Sequence, residues 1–434
     1  MNSPQVDPPG KHLTAATIVL FAAVGIHCLM LVSLKWGFLD PLFDDAMHRS
    51  GQAADFFAVY QAGTNLLDGV SIYSASPDRQ SVPYFYPYRY HPFVAYTIGF
   101  ASQFLPPFGA YGLWIILQEI LLLLNIMLTR SLFSEERTKA TATIFWLVFT
   151  PFYLELFMGQ FSFAMTSLVF WAVVAWMRKN VRQGDTWWTF SLIVKSNSAL
   201  FVPVLIRERR WKSLAIGVIS AVALGIPYFA AVPGTYDEFA RNYTERLSMS
   251  TLLGNQGFSG LIGIVILRMS GLWTDDLHLL GQRVVQMDQL MEIPVLLWTL
   301  IVLGSALYIT VKATRHDGPE LFLVWLLAFF LFYKHVWEHH YVMLLPVFVL
   351  LYYRMMTGHL HFPRPVFWSA FLVVALPTAF VFLDRSPVLF DPELSWETWK
   401  SLLYHIPKPF AVLVLFVSLG LELIGKDTGE PIRP

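Results

Sequence analysis

Residues 16–34, ATIVLFAAVGIHCLMLVSL, decide the class of fold. The run contains no Asp, Glu, Lys or Arg, and it approaches the roughly 20 apolar residues that a helix needs to cross the hydrocarbon core of a bilayer. Two later runs have a similar character, WKSLAIGVISAVALGIPYFAAV at 211–232 and IPVLLWTLIVLGSALYITV at 293–311. We therefore expect an all-α integral membrane protein with many spans.

The composition agrees with this expectation. Hydrophobic residues make up 56% of the 434 residues and charged residues only 14%, whereas about 25% charged residues is usual in a soluble protein. The formal net charge is zero, so no excess of basic charge points to nucleic acid as a partner. The one cysteine, Cys28, lies inside the first apolar run, so no disulfide framework is possible. No small-residue cleavage site follows that run, and residues 13–35 are predicted to be a retained span.

Clusters of Lys and Arg predict the orientation, because basic residues concentrate on cytoplasmic loops. We place five clusters inside: 130–139, 178–182, 207–212, 312–315, and Arg354 with Arg364. Counting crossings between them gives about twelve spans with both termini inside, near residues 13–35, 108–130, 142–158, 161–177, 187–196, 197–206, 213–232, 292–313, 319–334, 340–353, 365–383 and 408–425.

Two apolar segments do not fit this threading as ordinary single spans. Residues 91–105 are too short to cross comfortably and are followed by Pro106 and Pro107, so we predict an interfacial helix. Residues 187–206 are long enough for one crossing, but one crossing would place a basic cluster outside. We therefore predict two short limbs that meet near Lys195, where protein or water must surround the irregular backbone.

This threading gives a single membrane domain over residues 1–434. The first span is followed by a long extracytoplasmic loop over 36–107 and by core spans over 108–232. A second extracytoplasmic stretch covers 233–291, and C-terminal spans cover 292–434.

Five short motifs carry a family resemblance. They are DFFAVYQAGTNLLDGVSIY at 55–73 with RYHPF at 89–93, GQFS at 159–162, Lys195 followed by RERRW at 207–211, GNQGFSG at 254–260, and WEHHYVMLLP at 337–346. In this order they resemble glycosyltransferase family 87, the polyprenyl-phosphate-dependent mannosyltransferases with the GT-C multispan fold. The sequence departs from the family at Ser196, where Pro is usual, and at Gly257, where Ser is usual.

The resemblance implies a reaction and a catalytic residue. A sugar, mannose in the family, would move from a polyprenyl phosphate to an acceptor hydroxyl of a glycolipid or glycan, with inversion of the anomeric centre. The reaction would take place at the extracytoplasmic face of the plasma or inner membrane. The family's base is the Asp of its first outer loop, which corresponds to Asp55. Aromatic neighbours would disfavour the charged carboxylate, which suits a base acting near neutral pH. From the residues alone, Asp55 could equally be a solvated loop residue or a helix N-cap.

The other candidate residues would bind substrate. Lys195, Arg89, His339 and His340 could stabilise the leaving phosphate, although Lys195 could instead snorkel or pair with an acid. Tyr90 belongs to the resembling RYHPF motif. The amides of Gln160, Asn255 and Gln256 suit sugar hydroxyls, or they could cap spans.

We predict no cofactor and no metal, although two motifs are compatible with a metal site. His335, Glu338 and His339 spell H-x-x-E-H, an inverted zinc-protease motif, but no distant acidic third ligand is evident. Asp44 and Asp45 could form a second acidic site that holds a divalent metal, although solvation of the loop is favoured. The sequon at Asn242 is predicted to face outward. A lipid or solute transporter is the rival class, and transporters place broken helices and charges at the midplane and often show inverted repeats. Here most acids are placed in outer loops, no repeat is visible, and only the hairpin at Lys195 looks broken.

Overall fold

The computed structural model describes residues 10–43, 46, 51–74, 79–248, 254–269, 277–313, 318–378 and 398–425. Every regular element within these residues is a helix. The α-helices are α1 (Gly10–Trp36), α2 (Ala54–Leu67), α3 (Pro92–Val94), α4 (Phe100–Ser102), α5 (Pro107–Arg130), α6 (Glu136–Val148), α7 (Pro151–Met158), α8 (Ser162–Met177), α9 (Val181–Val194), α10 (Val202–Arg207), α11 (Trp211–Ala231), α12 (Thr235–Ser248), α13 (Phe258–Met269), α14 (Leu277–Lys312), α15 (Gly318–Phe332), α16 (Leu345–Met356), α17 (Arg364–Ala375), α18 (Thr398–His405) and α19 (Pro407–Gly425). The all-α prediction is confirmed for this part of the chain.

Five described helices are long and apolar enough to cross a membrane. A sixth crossing is added if α6 and α7, which are bent by 45° at Phe149 and Thr150, form one span. Large apolar side chains on these helices are exposed, for example Phe21 at 72% and Ile219 at 65%. Such a surface is expected where lipid replaces water. The chain is therefore a membrane protein, and the count of twelve crossings stays a prediction. The five long spans are Ala16–Trp36, Pro107–Arg130, Trp211–Ala231, Gln289–Lys312 and Leu402–Gly425.

The segment predicted as a long outer loop contains ordered helices. Helix α2 packs against a short helix over 92–102, in which a π-helical run, Ala95–Gly99, joins α3 to α4. The two backbones touch at Gly63 and Gly99, because a Cβ atom added at Gly63 would lie 2.1 Å from the carbonyl oxygen of Gly99. The segment 91–105 is thus helical as predicted, and Asp55, for which a loop position and a helix N-cap were both open, lies within helix α2.

The break predicted near Lys195 is present. Helix α9 ends at Val194, Lys195 has extended backbone angles (φ −153°, ψ 120°), and a 3₁₀ helix over Ser196–Phe201 leads into α10. The indole of Trp188 holds the break, since its Nε1 donates to the carbonyl of Ser198 at 3.2 Å. The first limb begins earlier than predicted, at Val181.

The basic loops lie together at one end of the molecule. Arg178 donates to the Ser131 hydroxyl at 2.6 Å, Arg207 donates to the carbonyl of Ala313, and Arg354 pairs with the carboxylate of Glu320. Helices α8, α9 and α15 run between this basic end and the opposite end. At 1.5 Å per residue, their 14 to 16 residues span about 21 to 24 Å.

Candidate active site

A cavity of about 460 Å³ lies at the end of α8, α9 and α15 that is remote from the basic loops. Its wall comes from α2, the 86–92 segment, the turn before α8, the break at Lys195, helix α11 and the segment after α15. Seven of the nine residues predicted from the sequence line it: Asp55, Arg89, Tyr90, Gln160, Lys195, His339 and His340. Residues that are up to 285 positions apart therefore meet in one site.

Asp55 lies in the first turn of α2 and is 7% exposed. It is not the helix N-cap, because that position belongs to Ala53, which has left-handed backbone angles (φ 65°). The amide of Ala53 donates to the carbonyl of Phe157 at 2.7 Å, which joins the start of α2 to the end of α7. Asp55 is thereby fixed on the cavity wall beside the turn that carries Gln160.

The turn over residues 159–162 depends on a glycine. Gly159 has a φ of 65°, and a Cβ atom there would lie 2.5 Å from the Cβ atom of Phe56. A larger residue would suffer both the left-handed backbone penalty and a collision with α2. Gly159 therefore sets how closely the turn approaches the helix of Asp55.

A chain of polar contacts joins four of the predicted residues. The Tyr90 hydroxyl lies 3.5 Å from Asp55 Oδ1 and 3.4 Å from Gln160 Oε1. Lys195 Nζ donates to the same Gln160 oxygen at 3.2 Å and to the Ser162 hydroxyl at 2.7 Å. The ammonium of Lys195 is therefore held on the cavity wall close to the carboxylate of Asp55.

A buried carboxylate that the sequence analysis missed supports this turn. Glu155 is fully buried in α7, and its Oε1 accepts the backbone N–H of Phe163 at 2.6 Å. From the other side, the Gln118 amide donates to the carbonyl of Gln160 at 3.0 Å. The signal that could have identified it is a Glu within the apolar stretch PFYLELFM. An acidic residue is costly inside a membrane segment and is usually kept only where it has a polar partner or a function.

Arg89 contributes a second cation. Its Nε donates to the carbonyl of Asn242 at 3.0 Å, which fixes the guanidinium beside the cavity. Within the described residues no hydrogen bond is found for its two Nη atoms, so they can meet an anion. Asn242 itself is buried, and its amide donates to the carbonyls of Tyr73 and Tyr88. The Asn242 side chain, the acceptor of the predicted sequon, is therefore not accessible.

The segment after α15 supplies a wall of imidazole and aromatic rings. The rings of His339 and His340 lie 4.2 Å apart at the start of a 3₁₀ helix over Glu338–Leu344. His340 Nδ1 accepts the backbone N–H of Trp337 at 3.0 Å, which fixes its tautomer as Nε2–H when it is neutral. Residues on this wall that the sequence analysis did not assign to substrate are Tyr333, His335 and Trp337.

Asn255 and Gln256 lie outside the cavity wall. Asn255 Oδ1 accepts the backbone N–H of Val336 at 3.0 Å, and its Nδ2 donates to the carbonyl of Lys334. The backbone of Gln256 also donates to Val336. Both side chains are buried and hold the histidine segment in place, so their direct contact with a sugar stays a prediction.

A buried ion pair, not foreseen from the sequence, holds the back of this segment. Lys408 Nζ lies 2.6 Å from Glu338 Oε1. The same carboxylate accepts the amide N–H of Thr378 at 2.8 Å, and Gln256 Nε2 lies 3.4 Å from its other oxygen. The sequence signal that could have indicated a buried partner for Lys408 is its position at the start of an apolar helix, PKPFAVLVLF.

This pair also bears on the zinc-protease alternative. The motif needs its histidines on one face of an α-helix, with the Glu as general base, but His335 lies outside the 3₁₀ helix and Glu338 is bound to Lys408. No cluster of three or more metal-ligating side chains is found within the described part of the chain. Asp44 and Asp45 lie outside the described residues.

The arrangement combines three chemical functions in one cavity. Asp55 can accept a proton, Lys195 and Arg89 can stabilise an anion, and Gln160, Tyr90 and the histidines can hydrogen-bond to polar groups. Water is partly excluded, which strengthens electrostatic interactions inside the cavity.

Comparison with known proteins adds an independent line of support. The model of glycosyltransferase family 87 matches residues 88–338, more than half of the chain. No curated protein matches. The matched range contains six of the nine predicted site residues, namely Arg89, Tyr90, Gln160, Lys195, Asn255 and Gln256, whereas Asp55, His339 and His340 lie outside it.

Proposed function

The chain belongs to glycosyltransferase family 87, and from this membership and the cavity we propose that it transfers mannose from a polyprenyl phosphate to a hydroxyl group of a glycolipid or glycan. The lipid-linked donor, the sugar and inversion at the anomeric carbon are parts of this proposal, as is a GT-C fold. The membrane glycosyltransferase class follows from the family and from the long apolar helices.

One observation carries the proposal: within the described part of the chain, one carboxylate, that of Asp55, and the cations of Lys195 and Arg89 line the same cavity. A transfer from a sugar phosphate needs a base for the incoming hydroxyl and positive charge for the departing phosphate. Asp55 supplies the base, and Lys195 and Arg89 supply the charge. The polar contacts through Tyr90 and Gln160 connect the carboxylate of Asp55 with the ammonium of Lys195.

The proposed step is a direct displacement. The acceptor oxygen attacks the anomeric carbon from the face opposite the phosphate, while its proton passes to the Asp55 carboxylate. The bond between the anomeric carbon and the phosphate oxygen breaks, and its electron pair leaves with the polyprenyl phosphate. Lys195 and Arg89 stabilise the negative charge that develops on that phosphate. The product is inverted, and Asp55 later returns its proton to solvent.

The apolar part of the cavity supports a lipid-linked donor. Val218 and Val222 of α11 line the cavity, yet Val218 is 57% exposed on the membrane-spanning surface. The cavity therefore reaches the surface that meets lipid, where an isoprenoid chain would lie. The sequence also lacks a Gly-rich nucleotide loop between a strand and a helix, which argues against a soluble nucleotide sugar.

The basic loops support an extracytoplasmic site in the plasma or inner membrane. They lie at the opposite end of α8, α9 and α15 from the cavity, and the positive-inside rule would place that basic end in the cytoplasm. We propose that no metal or cofactor takes part, and transfer is expected to continue in EDTA.

The direct test uses the full-length protein in lipid nanodiscs with radiolabelled polyprenyl-phosphate mannose and a glycolipid extract as acceptor. We expect a labelled lipid product whose formation falls about 10²- to 10⁴-fold in Asp55→Asn, while the variant stays folded because Asn is isosteric. Asp68→Asn, an exposed substitution at the end of the same helix, is the matched control. Wild-type turnover in Asp55→Asn, or labelling only from a nucleotide sugar, would overturn the proposal.

A further inference from the structure

A second cavity, of about 600 Å³, lies among the basic loops at the other end of the molecule. Five separate segments form it, at residues 131–132, 173–179, 208–210, 318–322 and 353–359. None of the residues proposed above for catalysis or substrate binding lines it. We name it the basic pocket.

The wall of the basic pocket carries an excess of positive charge. Its cations are Arg178, Lys179, Arg210 and Arg354, and its one carboxylate among the described residues is that of Glu208. Glu208 is already paired with Arg207 at 3.0 Å, and Arg354 is paired with Glu320.

Three cations are therefore left for a ligand. Within the described residues, Arg178, Lys179 and Arg210 have no carboxylate oxygen within ion-pair distance. Arg178 donates instead to the Ser131 hydroxyl, and the Arg210 guanidinium lies 4.8 Å from the ring centre of Trp176. In the nearby carboxylate of Asp185, Oδ1 accepts hydrogen bonds from the Trp176 indole at 3.1 Å and from the Ser213 hydroxyl at 2.6 Å.

The backbone at Lys179 is also unusual. Lys179 has a left-handed φ of 61° at the residue that follows the C-cap of α8, a position where Gly is usual. A side chain at such a position costs roughly 1 kcal/mol or more relative to Gly. The chain nevertheless places a lysine there, on the wall of the pocket.

The basic pocket lies at the level of the membrane boundary. One predicted span ends at Arg130, next to Ser131 on the pocket wall, and another begins at Trp211, next to Arg210. The Trp211 ring is 59% exposed, as is common for Trp at the headgroup level. Aromatic and apolar side chains, Trp176, Phe322 and Tyr353, complete the wall.

We infer that the basic pocket binds the phosphate group of an anionic membrane lipid, with Arg178, Lys179 and Arg210 as its ligands. A headgroup phosphate suits this setting because basic pockets between membrane helices bind anionic lipid headgroups, and the aromatic wall can cover the glycerol carbons. A soluble phosphate would gain the same charge contacts without the apolar ones.

The test uses full-length protein in a neutral detergent and counts bound lipid by native mass spectrometry during titration with phosphatidylglycerol or phosphatidylcholine. We expect phosphatidylglycerol to bind in preference. Each basic contact at a membrane surface is worth about fivefold in affinity, so Arg178→Gln/Lys179→Gln/Arg210→Gln is expected to weaken that binding about a hundredfold. The control, Arg182→Gln/Arg209→Gln/Lys212→Gln, removes three exposed charges from the same end outside the pocket and should bind as the wild type does.

Two further measurements keep the inference falsifiable. The single variant Lys179→Gln changes an exposed side chain and should fold, with binding about fivefold weaker. Thermal unfolding with and without lipid separates binding from a structural role, since a structural role lowers the unfolding temperature but leaves the lipid-induced shift intact. Three results would overturn the inference. They are an unchanged lipid-induced shift in the triple variant, an equal loss of lipid binding in the control variant, and a rise in unfolding temperature with inorganic phosphate but not with phosphatidylglycerol.

Discussion

Lys408 and Glu338, which are each 1% exposed and lie 70 positions apart in the chain, form an ion pair of 2.6 Å. The pair joins the start of α19 to the segment that carries His339 and His340. Gln256 and Thr378 bind the same carboxylate. The position of the histidine wall therefore depends on a contact outside the cavity.

Removing one partner of this pair should destabilise the protein strongly. Lys408→Met leaves the Glu338 carboxylate buried without its cation, which typically costs about 3 to 5 kcal/mol. The expected result is a large fall in the thermal unfolding temperature in detergent. The double variant Lys408→Met/Glu338→Gln should recover part of the loss, since no charge is then left buried. An unfolding temperature for Lys408→Met equal to that of the exposed control Lys212→Met would contradict this.

The histidine wall also shows why part of the site could not be predicted from the sequence. Asn255 and Gln256 were expected to bind sugar because an amide suits a hydroxyl, but an amide suits a backbone N–H or carbonyl equally well. The partners of Asn255 are near residue 335, about 80 positions away. A single sequence contains no information on such pairings, and the same holds for Glu338 and Lys408.

Other elements could be predicted because a physical constraint was visible in the sequence. The break at Lys195 follows from the basic clusters on either side, since one straight crossing would place one of them outside. The helix over 92–102 follows from its short apolar length and from the prolines after it. The bounds of helix α2 could not be predicted because the helix is buried on every side from Ala54 to Gly63, so its sequence lacks the separate apolar and polar faces of an amphipathic helix.

Gly159 should not tolerate even one added methyl group. In Gly159→Ala the left-handed backbone costs about 1 to 2 kcal/mol, and the collision with Phe56 adds an overpacking cost of about 1 to 3 kcal/mol. We expect a lower unfolding temperature together with reduced transfer, because the turn that carries Gln160 must move away from Asp55.

The matched control is Gly112→Ala. Gly112 lies within α5, and nothing lies within 4 Å of an added Cβ atom, so alanine should be neutral or slightly stabilising. If both variants unfold at the wild-type temperature, the turn over residues 159–162 does not need glycine at position 159 to pack against α2.

Replacing Lys195 should lower kcat strongly and change the unfolding temperature little. Lys195→Gln keeps a hydrogen-bond donor for Ser162 and Gln160 but removes the positive charge that would stabilise the leaving phosphate. Loss of one such group typically lowers kcat about 10²- to 10³-fold. Steady-state transfer assays should show this loss with an unfolding temperature near that of the wild type, and Lys195→Arg should restore part of the rate. A kcat unchanged from that of Lys212→Gln would exclude a role in the reaction.

His91 should make stability depend on pH. Its Nε2 donates to the carbonyl of Ala221 at 2.9 Å and its Nδ1 accepts the N–H of Phe93, so the ring is held neutral. Burial lowers the pKa of His91, and the bond to Ala221 offsets this only in part. Because the unfolded chain takes up this proton near pH 6.5 and the folded protein only at lower pH, stability is full above about pH 6.5 and falls as the pH drops below it. Unfolding temperatures measured from pH 7.5 to 5.5 should therefore fall less steeply in His91→Asn, which keeps the acceptor for Phe93, than in the wild type or in the exposed control His361→Asn. Identical slopes in all three proteins would show that His91 titrates as it does in the unfolded chain.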